Sequence, residues 1–570
     1  MHNTDSTDKA SPRGRPTGAA IPLVYVAFFV TGATALTLEV LWIHQLVTVV
    51  GASTYAISVV LGAFMAGLGL GGWLGGQIAD RTQSRLLAFG VAEAGLGLWA
   101  LASPAIFGVA RAWAPRLLPS SAHGGPAAVA VRLLVSFGLL LVPCILMGTT
   151  LPLLTRHCAA SGDDVRRKLS VLYGLNTLGA MAGCLATGFW FLGSLGLAAT
   201  NRLAAVGCGA IGLVAIIAAL VLRPVHGPAT AGSLEEPADD GPTPASSARP
   251  AALLLLAFAS GLAALGCEVL WARYLSPLYN IAYTFPTILG TYLFGVGAGS
   301  LICRAVVPRI RNLDLALACA FGALAAAVAA AFAAGAVLSL SQPAGPLPFS
   351  RMVILTVLPP ALVMGFTFPL ICAAYARSIA SAGRAVGAVY AVNTLGAIAG
   401  SVLPTFVLVP AFGIQDSLLG ISIMYALMGS LALVALRPRP RTTLAVGIAV
   451  LLGAAVLFVA LPRDLAQAVI LSRNSGLRRH RTLLYYCEGR TSTEAIEEDP
   501  FTGHRYLYMN GAIEVTTAQA DFVSFKLMAG IGPLLHPAPD EVLMVCFGGG
   551  LASGSAAQHP DVRIVRAVDI

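Results

Sequence analysis

Two carboxylates stand at matching places in a repeated string. Phe29 to Trp42 reads FVTGATALTLEVLW and Phe258 to Trp271 reads FASGLAALGCEVLW, which sets Glu39 and Glu268 at the same position of each copy. Both strings are otherwise apolar. An ionised carboxylate in hydrocarbon costs at least a few kcal/mol, so each Glu must face a partner, a cavity or the outer interface. Trp42 and Trp271 follow one helical turn later, with His44 and Arg273 beyond. A cation site with an aromatic wall is one chemistry this pattern supports. Another is a structural role, with Arg132 and Arg351, near the outer starts of the fourth and tenth apolar runs, neutralising the two Glu residues. Asn176 and Asn393 each begin an Asn-Thr-Leu-Gly-Ala string and read as interhelical hydrogen-bond glue.

A second candidate chemistry closes the chain. Glu541 to Phe547 (EVLMVCF) reads as a buried strand feeding Gly548, Gly549 and Gly550, then a helix through Ala552 to Gln558 and a strand from Arg563 to Val568 before Asp569. Glycines let the chain turn sharply and approach a ligand, and an acid at the end of the next strand can accept hydrogen bonds from a ribose. Asp569 follows Gly550 at the spacing such a site needs, about 20 residues. By contrast, Gly67-Leu-Gly-Leu-Gly-Gly and Gly295-Val-Gly-Ala-Gly lie inside apolar runs with no preceding strand, and read as close helix packing rather than phosphate loops. The ten Cys residues are scattered, mostly in apolar segments, without the close pairing of a zinc site or a secreted disulfide framework. They read as buried thiols, and no metal-ligating set is expected.

The elements that must position these residues are mostly membrane helices. The 570-residue chain is 57% hydrophobic and 11% charged, against about a quarter charged for a soluble domain. Apolar windows fall near 21–46, 54–79, 86–110, 128–154, 170–194 and 202–222, then near 251–275, 283–303, 313–340, 350–375, 384–410 and 416–436, with one more at 442–461. Each is long enough for a hydrocarbon slab crossed by about 20 residues. A polar tail (1–20) precedes the first six-helix unit (21–222), and a Pro, Ala and acid-rich linker (223–250) separates it from the second (251–436). Met147-Gly-Thr-Thr-Leu-Pro-Leu matches Met364-Gly-Phe-Thr-Phe-Pro-Leu, and Tyr173-Gly-Leu-Asn-Thr-Leu-Gly-Ala matches Tyr390-Ala-Val-Asn-Thr-Leu-Gly-Ala, the two pairs sharing one offset. An even number of spans per unit makes the two copies parallel repeats. Beyond the extra segment at 442–461, polar alternation and the hairpin signal Asn510-Gly511 predict a small β region over 481–535, followed by the unfinished βαβ lobe at 541–570.

The charge distribution orients the bundle. Lys9, Arg13, Arg15, Arg81, Arg85, Arg156, Arg166, Arg167 and Lys168 fall on one side of the first repeat, with Arg111, Arg116 and Arg202 dissenting. That side is read as cytoplasmic, with the N-terminus there and the lipid bilayer of a bacterial-type inner (plasma) membrane as the surrounding medium. The net charge of +9 therefore reports topology rather than a nucleic-acid partner. No cleavable signal peptide is apparent. Arg463, Arg473, Arg478, Arg479 and Arg481 follow the thirteenth run, which favours an interfacial or re-entrant segment, or an earlier run that does not cross, and a cytoplasmic C-terminal domain.

Gly76-Gln-Ile-Ala-Asp80-Arg-Thr-Gln-Ser-Arg85 resembles the cytoplasmic loop motif of the major facilitator superfamily, with a later glycine replaced. Tyr508-Met-Asn-Gly511, Pro533-Leu-Leu-His536 and Val542 to Gly550 resemble spermidine synthase, and the whole chain is similar to fused major-facilitator/spermidine-synthase membrane proteins. The resemblance implies a mainly α membrane protein with two MFS-like repeats, a small β region and a truncated Rossmann-like methyltransferase-type lobe. It also implies that Gly548, Gly549, Gly550 and Asp569 contact decarboxylated S-adenosylmethionine or S-adenosylmethionine as co-substrate, for aminopropyl transfer to a small cationic amine. Glu514 stands where the family has Gln, and the family's general base and second substrate loop fall after Ile570, so no catalytic residue is assigned. The alternative expectation is a transporter or membrane scaffold for a cationic or amphiphilic substrate, with an adenosyl-sensing domain. Oligomeric state has no signal in the sequence.

Overall fold

In the computed structural model the structure describes residues 20–50, 54–117, 126–158, 162–221, 248–279, 283–310, 312–342, 347–376, 382–436, 453, 461–472, 481–490 and 492–568. Among them are twelve long helices: α1 Ala20–Val50, α2 Thr54–Arg81, α3 Arg85–Leu117, α4 Pro126–Cys158, α5 Gly162–Ala186, α6 Gly196–Val221, α7 Ala248–Tyr279, α8 Thr284–Val306, α9 Leu313–Leu340, α10 Phe349–Ala376, α11 Ala382–Leu403 and α12 Val409–Leu436. They coincide with the twelve apolar windows. By length and hydropathy alone, ten stretches of the described residues can cross a membrane. The tenth, Gly383–Val434, takes in both α11 and α12, and α2 is not among the ten. Large apolar side chains stay uncovered around the bundle, among them Leu98, Leu134, Trp190, Val206 and Val221, which only lipid accommodates. The protein is a multi-pass, mainly helical membrane protein.

The repeat is visible in the packing. α1 lies against α5 as α7 lies against α11, α2 against α4 as α8 against α10, and α3 against α6 as α9 against α12. The principal contacts between the two sets, α2 with α11 and α5 with α8, exchange with each other when equivalent helices are exchanged. One twofold operation therefore describes the whole bundle. Close approach depends on glycine: a Cβ on Gly32 or Gly261 would strike the carbonyl of Asn176 or Asn393, and one on Gly179 or Gly396 that of Phe29 or Phe258. The glycine strings in α2 and α8 serve the same end, with Gly71 against Ile145 and Gly299 against Leu362.

The backbone irregularities repeat too. α5 widens into a π turn over Thr187–Phe191, and α11 into one over Pro404–Leu408. Gly196 (φ 73°) and Gly413 (φ 79°), both left-handed, then turn the chain at equivalent points.

Beyond the bundle, a short helix α13 (Leu465–Ser472) leads to strands β1 Thr482–Glu488, β2 Thr493–Glu498, β3 Arg505–Met509 and β4 Ala512–Thr516, an antiparallel meander. Asn510 (φ 49°) and Gly511 (φ 76°) make the β3–β4 turn, the type I′ geometry that an Asn-Gly pair favours. Helix α14 (Gln519–Leu535), strand β5 (Glu541–Val545), helix α15 (Leu551–Ala556) and strand β6 (Ile564–Val568) follow, with β5 and β6 parallel. The βαβ unit is present as a two-stranded sheet whose apolar residues remain uncovered (Leu543 65%, Val545 67% exposed). Parallel strands in a complete α/β lobe are buried on both faces, so a Rossmann-like methyltransferase lobe is not formed by the described residues.

The meander sits on one end of the bundle. Ile414 N donates to the Glu488 carboxylate, whose other oxygen accepts from Tyr486 Oη at 2.6 Å, and the Arg273 guanidinium donates to the carbonyls of Gly489 and Arg490. Gln415 fastens α13 beside it, its Nε2 donating to Pro462 O at 2.6 Å and its Oε1 accepting from Ala466 N at 3.0 Å. These contacts lie at the end of α7 and the start of α12. The opposite end carries the cationic loops around Asp80, Arg156 and Arg384. α7 and α12 hold the sheet through Arg273 and Ile414. The thirteenth run, Thr442 to Leu461, lies outside the described residues apart from Gly453 and Leu461, as do the tail 1–19 and the linker 222–247.

Candidate functional site

A cavity of about 790 Å³ opens between the two repeats, lined by α1, α2, α4 and α5 on one side and α7, α8, α10 and α11 on the other. Helix pairing brings Glu39 and Glu268 to it: both carboxylates face this one space. Neither has a hydrogen-bond or ion-pair partner among the described residues. The polar lining comes in equivalent pairs, Thr31 with Ser260, Thr150 with Thr367, Tyr173 with Tyr390, Asn176 with Asn393 and Thr177 with Thr394. The hydrogen bonds are paired as well. Asn176 Nδ2 donates to Phe28 O at 3.2 Å and Asn393 Nδ2 to Ala257 O at 3.0 Å, while Thr177 and Thr394 donate to Tyr173 O and Tyr390 O at 2.8 and 2.7 Å.

The asparagines thus tie helices together, as their sequence context suggests, and also line the cavity. The tryptophans do not. Trp42 and Trp271 are each 1% exposed, Trp42 packed edge-on to Trp99 at 4.7 Å and Trp271 against Tyr292 at 6.3 Å. Three residues advance a helix by about 300°, and the remaining ~60° takes each indole out of the cavity. The aromatic wall is made instead by Phe64, Tyr173, Tyr292, Phe368 and Tyr390. Arg351 is exposed at the start of α10 and does not neutralise either Glu. The side chain of Arg132 lies outside the described residues.

Toward the cationic end the two repeats pack on each other. There a Cβ on Gly76 would meet Gly383, and Gly72 meets the Tyr390 ring. Asp80, from the loop motif, accepts from Gly383 N at 3.2 Å and Arg384 N at 2.8 Å, with Arg156 and Arg384 at 3.6 and 3.7 Å. A carboxylate on free N–H groups in the first turn of α11 is favoured by the helix dipole. The other cross-contact is held by Ser300 Oγ donating to Ser170 O at 2.9 Å. Toward the opposite end the lining continues through Ser276, Thr284 and Phe285 to Asn510, the tip of the β3–β4 hairpin. The third charged side chain of the lining, Arg273, spends its guanidinium on the meander. Burial, with the Glu488 carboxylate beside it, pushes the Tyr486 hydroxyl at this seam well above its ordinary range.

The glycine turn is not part of this site. Cys546 (φ 78°), Gly548 (φ 52°) and Gly550 (φ 75°) carry the chain sharply from β5 to α15, but a Cβ on Gly549 would lie 2.8 Å from Val515 and one on Gly550 3.0 Å from Phe547. Protein side chains thus fill the space the glycines leave. Asp569 lies outside the described residues, so the four-residue adenosyl constellation is not assembled among them.

Glu93 is a residue the sequence reading passed over. It is fully buried on α3 and neither carboxylate oxygen has a hydrogen-bond partner. Its signal was a lone acid in an apolar run, without a counterpart in the second repeat.

Fold and site together define a multi-pass helical membrane protein with a solute-sized cavity between two repeats. No protein-family model and no curated protein matches the sequence. Among solved structures, the chain is similar to a mutant form of the E. coli fucose:proton symporter FucP, with 14% identity over 73% of this chain and 98% of that one and a TM-score of 0.45. FucP, described as a major facilitator superfamily transporter in the outward conformation, gives 15% identity with the same coverage and score. A mutant form of the nucleoside transporter NupG gives 12% identity over 73% and 100% of the two chains and a TM-score of 0.44. With scores below 0.5, the functional reading rests on the site's own geometry.

Proposed function

We propose that the bundle is a transporter of the major-facilitator type, carrying a small cationic solute between the two repeats. The observation that supports this is the pair Glu39 and Glu268, unpartnered among the described residues and facing one cavity between the repeats that extends toward the hairpin tip at Asn510. A carboxylate kept at membrane depth without a partner is costly and marks a functional site, and glue alone does not need a cavity. The twofold contacts offer a mechanism: α2–α11 and α5–α8 are equivalent seams, and rocking of one repeat on the other about the central site alternates access between the two ends. Cationic loops on the Asp80 end support a cytoplasmic side for it by the charge rule. The meander is then extracytoplasmic and the cavity faces outward.

The aminopropyl transfer reading gains nothing from the site. Val515 and Phe547 crowd the glycine turn.

The test is uptake by the full chain in liposomes, using one-headed (tetraethylammonium) and two-headed (hexamethonium) quaternary ammonium ions. Saturable uptake of at least one is expected, reduced about tenfold or more by Glu39→Gln with Glu268→Gln. Uptake of neither, or uptake indifferent to both substitutions, overturns the reading.

A further inference from the structure

The cavity offers the same groups twice. Around the twofold axis it presents Glu39 and Glu268, Tyr173 and Tyr390, Asn176 and Asn393, with apolar Met147 and Met364 and Leu36 and Leu265 among them. Function demands no such symmetry of a site for a one-headed solute, which would meet one carboxylate and leave its twin unpaired at a depth where that is costly. No described side chain of the lining can stand in. Arg273, the remaining charge, is held by the Gly489 and Arg490 carbonyls.

Resting on the transport reading, we propose that the ligand is an elongated two-headed cation, with a positive group at each end and an apolar spacer, bound so that its heads meet Glu39 and Glu268. Each head receives a carboxylate and a tyrosine ring. The spacer lies along Leu and Met side chains, and the bound ligand reads the same from either end. Anions and neutral solutes find no complementary charge.

The experiment is calorimetric titration of the full chain in detergent with bis(trimethylammonium) alkanes of increasing spacer length, against tetramethylammonium as the half-molecule. Tethering two heads makes the second contact intramolecular. The two-headed ion is expected to bind one per chain, with an optimum spacer length, about a hundredfold tighter than the half-molecule. Glu39→Gln and Glu268→Gln, each alone, are expected to abolish the length optimum and reduce affinity to about that of the half-molecule. The spacer series on the unaltered protein requires no variant to fold. Two half-molecules binding per chain without gain on tethering, or affinity independent of spacer length, overturns the proposal. Tight, length-dependent binding without liposome uptake would sink the transport reading and leave the ligand class standing. Uptake of tetraethylammonium alone would do the reverse.

Discussion

Glu93 sits on α3 midway between Gly90 and Gly97, which bring α3 against Gly212 and Gly209 of α6. The Thr31 hydroxyl stands beside the Glu93 carboxylate, but neither group reaches hydrogen-bond geometry. The equivalent position in the second repeat falls at Phe321, also buried, so the first repeat carries an acid where the second carries packing. A buried group with nothing to satisfy it destabilises. Glu93→Gln, which keeps the shape and removes the ionisable group, is therefore expected to leave stability unchanged or raise it by about 1 kcal/mol. A thermal midpoint lowered by several degrees in detergent would show that the carboxylate has a partner. The cavity acids were legible in the sequence because duplication writes them twice in the same string. Glu93 is written once, and nothing in its own neighbourhood distinguishes it from a span-end acid.

At the scale of elements, the meander is joined to the bundle by few but strong contacts. Glu488 accepts from Ile414 N where left-handed Gly413 turns the chain, and Arg273 donates to Gly489 and Arg490. Gly196, the twin of Gly413, has nothing within contact distance of a Cβ, so among the described residues the seat exists on the second repeat alone. Charge-assisted hydrogen bonds contribute about 1.5–3 kcal/mol each. Arg273→Ala with Glu488→Ala is expected to speed amide exchange across 482–516 by about tenfold or more while leaving α1–α12 unchanged; unaltered exchange would mean that the meander is held elsewhere. The helices, the hairpin at Asn510-Gly511 and the strand-turn-helix at Gly548 were all legible, since each is fixed by local periodicity or turn chemistry. The twin π turns and the seat of the meander were not, because they depend on partners remote in the chain, as Glu488 is from Ile414. The same limit misplaced Trp42 and Trp271: a one-turn rule gave the right helix and the wrong face.

The whole molecule has a direction. From Ile414, beside the meander and just after the kink at Gly413, α12 runs on to Leu436, about 33 Å away at about 1.5 Å per residue. Yet Pro462 is back beside Gln415 at the start of the same helix. Outward cavity, cytoplasmic Asp80 end and extracytoplasmic meander are parts of one proposal, which labelling from a single side of the membrane can test. With Cys319, Cys487 and Cys546, the cysteines that are not buried, replaced by Ser, Glu39→Cys and Glu268→Cys are introduced singly and exposed to a membrane-impermeant thiol reagent in right-side-out and inside-out vesicles. Both cysteines are predicted to react from the side opposite the N-terminus and to be protected together by a two-headed cation. Two cysteines that stay unlabelled from either side, or that react from different sides, would contradict a shared cavity between the repeats.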